Sequence, residues 1–390
     1  MFIKNLDAKL SLLYETDGLF SKIIDTPAEE AIKNGFDVTG THNQEVIDFL
    51  LEALDELDWE ETAMTGIRWA RLFGGAIAIM LINDGGNLED TVDWQRIVSV
   101  DGLIVYDRSV VQPSGYALDP EFFIVTNRSG CFKVHKSRCL LFRNHTIPEL
   151  SDNSIHRFWG IPEFYRIQTA MQHFKDTQKS TIDILHRFTQ PIYKMKNLSE
   201  VLTMEGGEKL IWKRLETIDA ARSFYRSIMI DAAEDYDFLT VPLTGISEIT
   251  EAMQTLLSAV TCIPKRILFG KDTRKNAFGL AMSHSYDKCI SEDWYNYVQV
   301  IQMRMLKPNL ICLLRVLLQA AYNTGEIDEI PKISIKFRPL WSMSELEQAE
   351  AERQRAIADL RHARAAQVYY QAGTITSKEI KSDFLAKYKK

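Results

Sequence analysis

The sequence predicts an α+β fold in which a mixed body carries a small insert between two helices. Three observations carry this. Residues 92 to 145 hold short runs rich in Val, Ile, Phe and Tyr, cut by Gly, Pro, Asp and Asn, which is the pattern of strands and turns. Helical periodicity brackets that block on both sides. Two amphipathic stretches, 162–189 and 246–263, enclose a shorter segment of mixed character.

The elements follow in order. Residues 44 to 72 are helical in pattern, with Val46, Leu50, Leu54 and Leu57 at three- and four-residue spacing and Glu45, Asp48, Glu52, Asp55 and Glu56 between them. Gly74 and Gly75 break the pattern, and AIAIMLI reads as a buried strand because it is short and wholly apolar. Asn83-Asp84-Gly85-Gly86 supplies turn chemistry after it. RIVSV, GLIVY, EFFIVT and CFKVH are the next strand candidates.

Over 162–189, Phe164, Ile167, Met171 and Phe174 share a helical face, and Ile182, Leu185 and Phe188 continue it. Between them KDTQKST is polar all round, so that part is not buried in its own core. Such a helix spans roughly 40 Å. Pro191 ends it, and 192–243 reads as a small β-tinged unit with a helical stretch near Ser223. Ile246, Ile249, Met253, Leu256, Leu257 and Val260 give a second amphipathic helix, with Ser247 as its N-cap and Pro264 as its stop. After a loop, helical patterns run over 281–323 with a kink at Pro308, and KISIKF reads as a strand. Ser344 with Glu347 opens a last long helix, which Gly373 ends, and Thr376 with Glu379 opens a short one.

Composition excludes several classes. The 390 residues are 46% hydrophobic and 25% charged, with a formal net charge of −7. A static DNA-wrapping protein carries a basic excess, because phosphate neutralisation supplies its affinity. The cysteines, at 131, 139, 262, 289 and 312, are odd in number and widely spread, which argues for reduced thiols and a cytoplasmic origin. The N-terminus lacks a signal-peptide layout, and the longest apolar runs fall far short of a membrane span. No GxxxxGK[ST] loop or GxSxG elbow occurs, so neither an ATPase nor a serine hydrolase is expected.

Several segments, in colinear order over nearly the whole chain, resemble the portal proteins of tailed bacteriophages, in particular a subfamily found in phages and prophages. They are IIDTPAEEAIKNGF (23–36), ARLFGGAIAIMLINDG (70–85), HKSRCLLF (135–142), WGIPEF (159–164), ILHRFTQPIYKMKNL (184–198), TGISEI (244–249), IPKRILFG (263–270), NAFGL (276–280), YDKCI (286–290) and AGTITSKEI (372–380). The resemblance implies a portal fold with an α/β wing, a two-helix stem, a small α/β clip and a short helical C-terminal crown. Residues 1–160 correspond to the wing and 161–189 to a stem helix. Residues 190–245 correspond to the clip, 246–263 to the second stem helix and 264–280 to a tunnel loop. Residues 281–340 return through the wing, and 341–390 form the crown.

The same resemblance implies a ring homo-oligomer, usually a dodecamer, at one capsid vertex of the virion, assembled in the host cytoplasm. Its implied partners are the terminase large subunit, the major capsid and scaffolding proteins, the head-completion or tail adaptor proteins, and double-stranded DNA passing non-specifically through the channel. No enzyme activity, cofactor or membrane is implied. A head–tail adaptor or minor head protein is the second reading, and a metal-dependent phage nuclease the third.

Within 264–280, Lys265, Arg266, Lys271, Arg274 and Lys275 stand against one acid, Asp272. A ring of such loops would put weak, sequence-independent phosphate contacts around a channel whose acidic remainder keeps DNA from adhering. Many members of the family place Pro or Gly where Lys271 to Lys275 stand, so the resemblance carries over the loop's location more firmly than its contacts. Cys131, His135, Cys139 and His145 look superficially like metal ligands, but their spacing suits a strand with a buried thiol at Cys139. Asp231, Glu234, Asp235 and Asp237 fit no calcium loop and read as a solvated face. The Arg- and Glu-rich stretch from 345 to 364 reads mainly as a solvated helix face.

Overall fold

The computed structural model describes residues 2–41, 43–116, 119–128, 130–147, 158–188, 191–194, 198–225, 235–238, 245–270 and 283–340, with single positions between 353 and 364. The chain divides into two compact units, Met1–Lys33 with Val38–Ile335, and Asn34–Asp37 with Lys336–Lys390.

In the larger unit, α1 (Phe2–Thr16) and α2 (Gly18–Ile32) are separated by Asp17, whose carboxylate accepts the N–H groups of Leu19 and Phe20 at 3.0 Å each. Pro27 lies inside α2 and has no N–H for the carbonyl four residues back. That carbonyl, of Ile23, is taken instead by Arg71 Nη2 at 3.2 Å. The helical pattern of 44–72 is divided in two, α3 (Gln44–Glu56) and α4 (Trp59–Phe73), at Asp58, which adopts a left-handed conformation with φ 49°. The break lets α3 turn Val46, Leu50 and Leu54 inward while α4 buries its own stripe of Ala63, Ile67 and Ala70.

Two antiparallel sheets follow. β2 (Gly75–Asn83) lies between β3 (Ser99–Asp107) and β7 (Cys139–Arg143). β5 (Asp119–Asn127) lies between β4 (Val111–Tyr116) and β6 (Gly130–His135). The strand expected over RIVSV begins only at Ser99. Ile77, Ile79 and Cys139 of the first sheet pack with Val111, Phe123, Val125 and Val134 of the second, beside Phe158 and Trp159. The alternate residues of β2, Ala76, Ala78 and Met80, are also buried, on the side that α4 covers. Strand β2 is therefore apolar without alternation because both of its faces are covered. At Gly66 of α4 a Cβ would stand 2.7 Å from the Phe142 ring, so only glycine allows this helix to sit so close to the sheet.

α5 (Phe164–Phe188) is the long helix expected from its periodicity. β8 (Pro191–Lys194), α6 (Leu198–Thr203), α7 (Gly207–Tyr225) and β9 (Asp235–Phe238) form the insert, which is more helical than the sequence suggested. β8 and β9 pair antiparallel, so the insert is closed at its base. α8 (Ile246–Thr261) then packs along α5. The cap expected at Ser247 is not there. Gly245 takes that place with φ 95° and no side-chain bond, because glycine alone enters this backbone region without cost. α8 ends at Cys262, again left-handed, with Pro264 beyond it.

The basic stretch expected as a loop from 264 begins instead with a helical turn, α9 (Lys265–Phe269). After α10 (Ser283–Ile301), a π-helical turn, Gln302–Leu306, leads into α11 (Lys307–Thr324). The kink expected at Pro308 is this π turn. Lys307 N–H reaches back to Gln302 O, and Pro308 then sits in the first turn of α11, where its missing N–H costs nothing. Asn309 on α11 donates to Leu141 O at 2.9 Å and accepts from Leu141 N at 3.0 Å, closing the open edge of β7 as another strand would. Among the described residues no helix is long and apolar enough to cross a membrane.

The smaller unit joins the start of β1 (Phe36–Thr39) to the end of β10 (Ser334–Phe337), the two strands of a separate ladder. Phe36 and Phe337 meet edge to face at 6.4 Å, and Arg338 Nε donates to Asp37 at 2.9 Å. The capping residues expected at Ser344, Glu347, Thr376 and Glu379, and the helix end at Gly373, lie outside the described residues.

Candidate functional site

Of the five cations expected to face DNA, two are described. Lys265 and Arg266 open α9, with Lys265 half-buried and Arg266 exposed. The turn is anchored from below. Leu268 is buried, its carbonyl accepts Lys22 Nζ at 3.0 Å, and Phe269 packs on Phe174 of α5 at 5.4 Å. Gly270 follows with φ 89°, a conformation that redirects the chain as it leaves the turn. Lys271, Arg274 and Lys275 lie outside the described residues.

Immediately beside this segment is the body end of the helix pair. The residues buried on α5 are Ile167, Ala170, Met171 and Phe174, near its N-terminus, and those on α8 are Leu257 and Thr261, near its C-terminus. The β8–β9 pair joins the other ends, so the helices run antiparallel and carry the insert away from the body. From Lys175 to Ile184 α5 is largely exposed, as its polar centre predicted. Lys175 pairs with the helix-capping carboxylate of Asp17, which ties α5 to the start of α2.

A buried ionic cluster fixes this end, and no local sequence pattern announces it. Arg71 of α4 is 1% exposed and faces Glu163, just before α5, at 3.8 Å. Arg71 Nη1 donates to Tyr297 Oη at 2.7 Å, and Asn144 Nδ2 donates to Glu163 at 3.3 Å. Burial pushes the Glu163 carboxyl upward, but Arg71, Asn144, His145 and Arg166 outweigh it and hold the group below the ordinary carboxylate value. His145 is lowered, chiefly by burial and then by Arg166. Cys262, at the end of α8, lies within reach of the same charges. Both helix roots therefore converge on one pair of opposite charges.

A second buried pair orders the turn after β2. Arg138 Nη2 donates to Asp84 at 2.7 Å, its Nε to Asp90 O at 2.9 Å, and its Nη1 to Ile82 O at 3.3 Å. Asp84 also accepts the N–H groups of Gly86 and Asp93 at 3.0 Å. Burial opposes its charge, but these donors and Arg138 hold its pKa low.

The superficial metal set does not assemble. Among the described residues no three His, Cys, Asp or Glu side chains gather to hold an ion. Cys139 is a buried thiol whose pKa burial pushes up to about 12. His135 Nδ1 meets Ser137 Oγ at 2.8 Å, and His145 belongs to the Glu163 cluster. Of the acidic group near 235, Asp231 and Glu234 lie outside the described residues, and Asp235 and Asp237 lie on β9.

A family model described as phage portal protein matches residues 9–360. The chain belongs to this portal family. Among solved structures, a similar fold recurs in a chain of the virion of a native gene transfer agent particle. That match has a TM-score of 0.50 and 13% identity, and covers 90% of this chain and 89% of that one. A chain in the neck of an empty gene transfer agent particle gives a TM-score of 0.52 at 11% identity, covering 96% and 92%. Among curated proteins, one named anti-CBASS protein Acb1 from Sphingomonas paeninsulae is 25% identical over 361 residues, which is 88% of this chain and 55% of the relative. An uncharacterised protein of Haemophilus influenzae is 22% identical over 292 residues, 72% of this chain and 65% of the relative. The chain thus spans little more than half to two thirds of the length of these curated relatives.

Proposed function

We propose that this portal chain is the ring subunit through which double-stranded DNA enters and leaves a capsid, seated at one vertex of the virion. The observation that carries the proposal is the α5–insert–α8 arrangement within a chain that the portal family model matches over residues 9–360. In this reading residues 1–160 and 281–340 are the wing, α5 and α8 the stem, 190–245 the clip, 264–280 the tunnel loop and 341–390 the crown. The ring is a dodecamer assembled in the host cytoplasm. Scaffolding and major capsid proteins surround the wing, and the insert docks first the terminase large subunit and later the head-completion proteins.

DNA passes rather than binds. The chain is acidic overall, with a net charge of −7, and the cations Lys265, Arg266, Lys271, Arg274 and Lys275 are gathered in one segment. Each phosphate contact is weak and salt-dependent, and reads no sequence. Replacing Lys271, Arg274 and Lys275 by Ala is expected to leave rings intact but lower the amount of DNA packaged or retained, measured as nuclease-protected DNA per particle. Unchanged protected DNA in that variant removes the loop from DNA contact.

Two of the curated relatives carry the name anti-CBASS protein Acb1, and about half of each lies outside the stretch shared with this chain. The portal family model matches residues 9–360, nearly the whole of this chain, and the channel reading rests on that match.

A further inference from the structure

The turn that carries Lys265 and Arg266 is held from two sides. α9 is five residues long, and the amides of Ile267 and Leu268 both donate to Pro264 O, at 2.8 and 3.0 Å. So short a helix has little cooperativity of its own, and its last carbonyls need partners from outside it. Gly270 does not close them off. At φ 89° and ψ 175° the chain leaves in an extended direction instead of curling back into a Schellman cap. One side of the hold comes from the helix pair. Ser258 Oγ of α8 donates to Ile263 O at 2.6 Å, just before the turn, and Phe269 packs on Phe174 of α5 at 5.4 Å. The other side comes from α2, where Lys22 Nζ donates to Leu268 O at 3.0 Å. α2 is itself fixed in the body of the fold. Arg71 takes its Ile23 carbonyl at 3.2 Å, Gln302 takes its Ala31 carbonyl at 2.7 Å, and Phe20 meets Phe164 edge to face at 5.9 Å.

We propose that Lys22 is a positioning residue for the DNA-facing turn, its ammonium on α2 fixing Leu268 O and so holding Lys265 and Arg266 in place against the body of the fold. A charged donor on a carbonyl is stronger than a neutral one, and a cation suits the negative end of a helix. The two DNA-facing cations lie within one turn of the carbonyl that Lys22 takes, so a hold at Leu268 is felt at both. Lys22 is exposed on α2, where a lysine would ordinarily serve only as a solvated face. Here it reaches instead to a segment far along the chain. With that bond lost, the turn opens more often and its long basic side chains must be ordered anew for each phosphate contact, which weakens the contact. The inference rests on the channel reading above and names what sets its cations in position.

The test uses the full chain with Lys22→Met, which keeps most of the side chain's length and loses its donor, and with Lys22→Arg, which keeps a charged donor. Lys22 is exposed, and circular dichroism melts check that both variants fold. Two quantities are read, hydrogen exchange over residues 264–270 and nuclease-protected DNA per particle. With Lys22→Met, exchange at Ile267 and Leu268 is expected to rise about tenfold, because the turn opens more often. Protected DNA is expected to fall by about half or more, because the phosphate contacts weaken. Lys22→Arg is expected to keep both near the unaltered values. A third arm separates positioning from general stability. In a chain that carries Lys265→Ala and Arg266→Ala, adding Lys22→Met is expected to change protected DNA no further, since no cation remains on the turn to be positioned. Unchanged exchange in Lys22→Met shows that the bond does not hold the turn and overturns the inference, and so does a Lys22→Arg chain that behaves as Lys22→Met does. A rise in exchange with unchanged protected DNA overturns it while the channel reading stands, as does a further loss of DNA on top of Lys265→Ala with Arg266→Ala. If Lys265→Ala with Arg266→Ala retains as much DNA as the unaltered protein, the DNA role of this turn fails and the inference with it.

Discussion

Arg71 is a charge in the interior of the fold, and its surroundings say why it is tolerated. It answers the carbonyl that Pro27 leaves free in α2, the hydroxyl of Tyr297 and the carboxylate of Glu163. Removing one member of such a pair leaves the other charge buried and alone, which costs roughly 3–5 kcal/mol. Arg71→Ala is therefore expected to lower stability by that order, read from urea unfolding midpoints. The sign of the pH dependence follows from the lowered carboxyls of Glu163 and Asp84. A group depressed on folding contributes stability that is complete above its ordinary value, 4.5 for Glu163, and is lost as the pH falls through the lower folded value. Asp7 and Asp25 are raised, chiefly by burial, and act in the opposite sense. Glu163→Gln is expected to be less stable at neutral pH and to show a flatter fall below about pH 4.5. An unchanged acid limb would show that the pair is not felt in folding. Cys262, at φ 58°, occupies a conformation that costs an L-residue about 1–2 kcal/mol. Cys262→Gly is expected to raise the urea midpoint by a gain of roughly 1 kcal/mol or less, because glycine gives part of it back in the unfolded chain.

At the scale of the element, the helix pair divides its residues between burial within the chain and exposure. Leu257 of α8 is fully buried, while its neighbour Leu256 is 40% exposed. Leu257→Ala is expected to destabilise by about 2–5 kcal/mol and Leu256→Ala by about 0.5 kcal/mol or less in unassembled protein. Equal losses in thermal melts would mean that α8 packs on α5 by another face. The sequence announced these helices because their apolar spacing is long and regular, and it announced β2 because a strand covered on both faces has no polar residue to hide. It did not announce Asp58, Gly245 or the π turn before Pro308, where a single backbone conformation decides the boundary and periodicity continues on both sides. The turn at Lys265–Phe269 read as loop because five residues are too few to show a period.

For the whole molecule, charge misled where it was buried and informed where it was exposed. Arg71, Glu163, Asp84 and Arg138 look like surface residues in the sequence, and their partners come from distant elements, so no local pattern reveals them. The acidic run of α3 was visible at once, and what the fold added is that it faces outward, opposite the buried Val46, Leu50 and Leu54. Of the five cations proposed to face DNA, Lys265 and Arg266 stand in an anchored turn beside the root of the helix pair. The family match over residues 9–360 and the helix-borne insert are the grounds on which a ring with a central passage is proposed. Electron microscopy of the purified protein in negative stain tests this most directly. Closed rings with a central opening are the expected result, and a protein that stays monomeric at high concentration and low salt would contradict the account.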